Sequence, residues 1–136
     1  MEILLDKKYR QNLEKYADYM ETNKIKMLTI QDEKYPQKLR NLYDPPSVLY
    51  VAGNIDILNS KAIAIIGSRA CTEYGKQVAK EFAYNLSKSN INIISGLAKG
   101  IDTYAHIGTI NASKPTIAVV GGGLDNIYPK ENLRTV

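Results

Sequence analysis

Three stretches of the chain share one layout: Ile63-Ala-Ile-Ile-Gly67-Ser68-Arg69, Ile94-Ser95-Gly96-Leu97-Ala98-Lys99-Gly100-Ile101-Asp102 and Ile117-Ala-Val-Val-Gly121-Gly122-Gly123-Leu124-Asp125. Each is a short apolar run that breaks into a polar loop containing glycine. The segments between the runs carry apolar residues at helical spacing, and strands alternating with helices predict a parallel sheet. Parallel strands point the same way, so the three loops must emerge along one edge. Ligands of open α/β sheets bind in the crevice outside that edge. The sequence therefore predicts one composite pocket, lined by backbone N–H groups and by Arg69 and Lys99, of a chemistry suited to phosphate.

Composition narrows the class. With 136 residues the chain suits one domain with a real core. No apolar run approaches the roughly 20 residues needed to cross a bilayer, and the opening Met1-Glu-Ile-Leu-Leu5 is too short for a secretory signal. The single cysteine, Cys71, excludes an intramolecular disulfide and fits a reducing compartment, so a cytoplasmic location is expected. Residues 1–60 hold nine Lys+Arg and nine Asp+Glu, whereas residues 61–136 hold nine against five. The positive surplus thus travels with the glycine loops and points to an anionic partner.

Residues 1–60 read as a small α+β lead-in, with a boundary near Asn59. An amphipathic helix from Asp6 to about Asn23 places Tyr9, Leu13, Tyr16, Ala17 and Met20 on one stripe, expected to be buried. Ile25–Ile30 is extended, and Tyr35-Pro36 opens a short helix through Leu42 that Asp44-Pro45-Pro46 breaks. Ser47–Val51 resumes as a strand, and Gly53-Asn54 turns the chain. From Lys61 the alternation is regular: strand Ile63–Ile66, helix about Tyr74–Ser89 with core face Val78, Ala79, Phe82, Ala83 and Leu86, strand Ile91–Ser95, helix about Ile101–Ala112, strand Thr116–Val120. The continuously apolar first strand is expected to be covered on both faces. The fold class is therefore α/β: a Rossmann-like three-layer parallel sheet over 61–136, about half of a doubly wound one, preceded by the lead-in. The first strand is left with an open edge, which the lead-in or a second subunit is expected to cover, and a homodimer through that edge is expected.

The loops specify chemistry by what they contain and what they lack. After Gly67-Ser68 come Arg69, Ala70, Cys71 and Thr72, which is neither the glycine pattern of a dinucleotide fingerprint nor a Walker loop. What remains is a tight turn, a hydroxyl and a guanidinium near a helix N-terminus, where anions are favoured. Arg69 could instead pair with an acid such as Asp102. Gly96 and Gly100 let the backbone of the second loop approach a ligand, with Lys99 projecting there. Asp102 suits an N-cap or first-turn acid, and His106, four residues on, lies within reach of it. The run Gly121-Gly122-Gly123, followed by Asp125 and Tyr128, suits an anion-binding nest or a plain turn. Among the ten tyrosines, Tyr74, Tyr104 and Tyr128 lie near the loops and are candidates for base stacking. A nucleophile elbow, a close carboxylate pair and a metal cluster are all missing from the sequence. No catalytic residue, cofactor or metal is assigned.

At these loops the chain resembles the DNA-processing protein A (DprA/Smf) family of bacteria. The stretches that carry the resemblance are Tyr35-Pro36-Gln-Lys-Leu, Asp44-Pro45-Pro46 with Leu49-Tyr50 and Gly53-Asn54, Ile65-Ile-Gly67-Ser68-Arg69, Tyr74-Gly75, Ser95–Asp102 with Ala105-His106, and Gly121–Asp125 with Tyr128-Pro129, in family order. The resemblance implies an extended Rossmann protein that binds single-stranded DNA and helps load the RecA recombinase during natural transformation, in competence and DNA recombination, without being an established enzyme. It implies that Arg69 and Lys99 belong to a basic pocket holding the DNA backbone and that the glycine loops shape its floor. Family members continue with further strands and helices, with which dimerisation and RecA contacts are associated, so the pocket is the part implied most directly here. The alternative is a Rossmann-type nucleotide-binding or phosphoribohydrolase-like enzyme. Such enzymes carry a Pro-Gly-Gly loop, which Gly121–Asp125 does not match.

Overall fold

A computed structural model describes residues 7–127. The chain divides into two compact units, with the division between Asp56 and Ile57.

The first unit holds helix α1 (Lys7–Thr22), strand β1 (Ile25–Thr29), the single-turn helix α2 (Gln37–Arg40) and strand β2 (Val48–Ala52). Strands β1 and β2 pair antiparallel, with Met27 opposite Tyr50 and Leu28 opposite Leu49. Side chains alternate between sheet faces, so Leu28 is buried while Met27 is exposed. Tyr35 anchors the connection: its ring is fully buried and its hydroxyl donates to the Pro46 carbonyl at 2.5 Å. Arg40 lies over the ring, 5.8 Å from its centroid, and donates to the Asp32 carbonyl. The α1 stripe is not buried as its spacing suggested. Leu13 and Tyr16 are exposed, the latter by 68%, and the Tyr9 side chain lies outside the described residues. Helical spacing shows which face is apolar but not what covers it.

The second unit is the parallel sheet. A short 3-10 helix (Ile55–Asn59), not anticipated from the sequence, leads to β3 (Ala62–Ala64), α3 (Glu73–Lys88), β4 (Asn92–Ser95), α4 (Ile101–Asn111) and β5 (Thr116–Ala118). The strand order is β3-β4-β5, with Ile63 beside Ile93 and Ile94 beside Ile117. Right-handed crossovers in that order place α3 and α4 on the same face. The core lies beneath them, built on Ala83, Ile93 and Ala105 with Ile65 and Leu86 packed against it. The helices approach closely because small residues line their contact. A Cβ on Gly108 would lie 2.2 Å from the Lys80 carbonyl oxygen, and the Ser87 hydroxyl donates to Thr109 Oγ1 at 3.2 Å.

The Rossmann-like α/β architecture is therefore present, with two departures in burial. Among the described residues, helices cover one face of the sheet. The opposite face carries Ala64, Ile66, Ile94, Ile117 and Val119, and Ile66 is 74% exposed. Among the described residues of this unit that face is an apolar surface without a helix, so within the unit β3 is covered on one side. Phe82, expected in the core, is 63% exposed on the flank of α3 beside β3.

Candidate nucleic-acid interface

The loops after β3, β4 and β5 leave the same edge of the sheet, and the first two are locked together. Gly100 makes this possible. It takes φ 84°, and a Cβ there would lie 2.2 Å from the Ser68 carbonyl oxygen and 2.6 Å from that of Arg69. No side chain fits such a crossing, so only glycine allows the two backbones to touch. The Ile101 N–H then donates to the Ser68 carbonyl at 3.2 Å, and the Ser95 hydroxyl donates to the Ile65 carbonyl at 2.6 Å. Arg69 and Lys99 consequently flank one backbone crossing, and both are exposed. Arg69 forms no ion pair with Asp102: among the described residues the salt bridges are Lys34–Asp56 and Lys76–Glu73.

Each loop is braced from within. The Ser68 hydroxyl accepts from the Ala70 N–H at 3.2 Å, so it orders its own turn. Thr72 caps α3 by accepting from the Gly75 N–H at 3.1 Å. In the second loop Asp102 is 6% exposed, and its Oδ2 accepts from the Gly96 N–H at 3.0 Å. The Thr103 hydroxyl donates to the Ala98 carbonyl at 2.7 Å. Leu97 is held at φ 59°, a left-handed conformation unusual for leucine, with its side chain 2% exposed. Burial of that side chain offsets a backbone strain of about 1–3 kcal/mol. Lys99 thus projects from a loop whose shape is set before any ligand arrives.

The third loop is tied to the second through β5, where the Val119 N–H donates to the Ser95 carbonyl at 2.9 Å. Gly121, Gly122 and Gly123 are exposed, and the close approaches of the last two are to Asn126 and Asp125 of their own loop. Tyr128 lies outside the described residues. Tyr74 is exposed on the first turn of α3, whereas Tyr104 lies under the Lys76 ammonium, 5.6 Å from its ring centroid.

His106 does not pair with Asp102. Its ring is fully buried, and its Nδ1 meets Thr116 Oγ1 at 2.8 Å. Burial pushes the imidazole below its ordinary value of 6.5, while the Asp102 carboxylate acts weakly in the opposite sense. Four residues of this neighbourhood were not singled out from the sequence: Lys76, Leu97, Thr103 and Thr116. Thr103 was accessible as a hydroxyl in a first helical turn, where such groups bond nearby backbone. Leu97 carried no signal, because a loop leucine has no sequence mark of a positive φ.

The model for the family described as DNA recombination-mediator protein A matches residues 26–136. The chain belongs to that family. It is 42% identical over 114 residues to the DNA processing protein DprA of Streptococcus pneumoniae, covering 84% of this chain and 40% of that protein. With DprA of Bacillus subtilis it shares 40% identity over 111 residues, covering 81% and 37%. The chain therefore spans about two-fifths of the length of these DprA relatives. The crystal structure of S. pneumoniae DprA matches with a TM-score of 0.76 at 39% identity, covering 87% of this chain and 42% of that one. A second structure, described as showing the single-stranded DNA binding mode of DprA from Helicobacter pylori, matches with a TM-score of 0.70 at 34% identity, covering 82% and 49%. The β3–β5 unit is thus a DprA-type Rossmann-like sheet. Among the described residues no helix is long and apolar enough to cross a membrane.

Proposed function

We propose that the edge formed by Gly67–Arg69, Gly96–Gly100 and Gly121–Gly123 binds the phosphate backbone of single-stranded DNA, without catalysis and without reading sequence. The observation that carries this reading is the Gly100 crossing, which brings the backbone of the Gly67–Arg69 turn against that of the loop bearing Lys99. Two exposed cations of different geometry so placed suit a polyanion: Arg grips a phosphate bidentately, and Lys follows as a point charge. The basic surplus of residues 61–136 supports it, as does similarity to a relative whose structure is described by its single-stranded DNA binding. Asp102, buried behind the Gly96 N–H, acts as a brace and not as a ligand.

Labelled oligo-dT is expected to bind this chain at low salt and to weaken with a log–log salt slope of about −0.7 per phosphate neutralised. AMP and GTP at millimolar concentration are expected to compete poorly. Displacement of the oligomer by a free nucleotide at low concentration would favour the nucleotide-enzyme alternative, and unchanged anisotropy at low salt would refute strand binding.

We propose further that the chain forms a homodimer through the edge of β3. In the parallel pairing of β3 with β4, Lys61 and Ile65 direct their main-chain groups to β4, so Ala62 and Ala64 direct theirs to the open edge. Phe82 and Ile66 add exposed apolar surface beside it. A second copy adding its own β3 satisfies both. Sedimentation is expected to show a monomer–dimer equilibrium that Ala64→Pro shifts to monomer. A monomer at the highest soluble concentration would rule the dimer out.

A further inference from the structure

Behind the proposed interface lies a polar relay, buried at His106 and Ile93 and half-buried at Thr116, that makes no contact with the proposed strand site. Thr116 Oγ1 donates its one hydrogen to the Ile93 carbonyl at 2.9 Å. Toward His106 Nδ1, at 2.8 Å, the same oxygen can then only accept. The imidazole is therefore the Nδ1–H tautomer, and its Nε2 is left with a bare lone pair. That nitrogen is buried with no hydrogen-bond partner among the described residues. The relay ties α4 to both β5 and β4, the strands that launch the third and second loops. One turn earlier the same helix carries Asp102, which holds the Gly96 N–H.

We propose that the His106–Thr116–Ile93 relay is a proton-sensitive latch that holds α4 against β4 and β5 and so keeps the Gly96–Gly100 loop in its binding shape. This rests on the strand-binding reading for its consequence, though not for its chemistry. Protonation would place a second N–H on Nε2 where the described residues offer no acceptor, and a buried unpaired donor bearing a full charge is costly. The surroundings offer little relief. Neither β4 nor β5 carries a charged side chain, α3 meets this helix through Ala83 and the Lys80 carbonyl near Gly108, and among the described residues Asp102 is the carboxylate whose field reaches the ring. The proton is therefore taken up by conformations in which α4 has moved away and the ring is wet. Moving α4 also withdraws Asp102 from Gly96, which frees the loop that presents Lys99.

The direction of the effect follows from linkage. Opened conformations titrate near the ordinary value of 6.5, and the closed form titrates lower. The latch is intact above pH 6.5 and weakens as pH falls toward the closed-form value, the opening constant rising about tenfold per pH unit. His106 is the one histidine of the chain, so its titration can be followed without ambiguity. Two-dimensional imidazole NMR of the unmodified protein is expected to show the Nδ1–H tautomer at pH 7.5 and a midpoint below 6.5. Hydrogen exchange corrected for intrinsic rates is expected to show protection at Gly96 and Val119 falling about tenfold per unit below pH 6.5, with Ala83 less affected. His106→Asn keeps a donor near the Nδ1 position without titrating, and should make protection at Gly96 independent of pH between 5 and 7.

An Nε2–H tautomer, a midpoint at or above 6.5, or pH-independent protection at Gly96 in the unmodified protein would overturn the latch. These readings need no variant, so they stand even if His106→Asn fails to fold. Oligo-dT titrated across the same range separates the two proposals. Binding that weakens with acid in the unmodified chain supports both. Linked loss of protection in a chain that binds no oligomer at any pH leaves the latch standing and removes the strand-binding reading.

Discussion

Alanine at Gly100 is expected to destabilise the β3–β5 unit by about 3 kcal/mol or more, combining the strain of a residue at positive φ with a backbone clash. Glycine here takes φ 84° with ψ −132°, and the added Cβ would stand 2.2 Å from the Ser68 carbonyl oxygen. The crossing cannot survive that contact. Either the Ile101–Ser68 hydrogen bond opens or the Gly67–Arg69 turn moves, and the loops that carry Arg69 and Lys99 come apart. Gly121→Ala is the matched control, since a Cβ there meets nothing within 4 Å. Urea unfolding should separate the two by a clear difference in midpoint, with Gly121→Ala near the unmodified protein. Equal midpoints for the two variants would show that the loops are not locked as described.

Removing both cations is expected to have the largest effect on binding. A hydrogen bond to a charged group is worth about 1.5–3 kcal/mol, so Arg69→Ala and Lys99→Ala should each weaken oligo-dT about tenfold or more at low salt. The double variant should flatten the log–log salt slope by roughly 1.4, from about 0.7 for each lost phosphate contact on a single strand. Stability should be little changed, because both residues are exposed. Arg69→Lys is informative beside these: it keeps the charge and the salt slope, yet should lose affinity if the guanidinium grips bidentately. Unaltered affinity in the double variant would place the DNA elsewhere, for instance along Lys80 and Lys88 on α3.

Much of this arrangement was legible in the residues. Apolar runs at Ile63, Ile93 and Ile117, separated by segments of helical period, predicted the parallel unit with its elements in the observed order, because strand and helix periods differ enough to be told apart. The meeting of the loops at one edge followed from strand direction alone. Three features were not legible, each for a physical reason. The apolar stripes of α1 and α3 specify a face, but the exposure of Tyr16 and Phe82 depends on what packs there, which spacing does not encode. The Asp102–His106 spacing allowed a contact, but each side chain has another partner that helical spacing does not encode. Asp102 reaches back to Gly96 in the preceding loop, while the ring of His106 turns to Thr116 on a strand that follows in sequence. The locking of loop one to loop two depends on a main-chain crossing at Gly100, and no side chain advertises it.

The most direct test is an amide chemical-shift map of the unmodified chain on adding oligo-dT. If one rim grips the strand, the amides of Ser68, Arg69, Gly96, Lys99 and Gly100 should shift together, with Gly121–Gly123 following. Shifts confined to the far ends of α3 and α4, around Lys88 and Lys114, with the glycine loops unmoved, would contradict it.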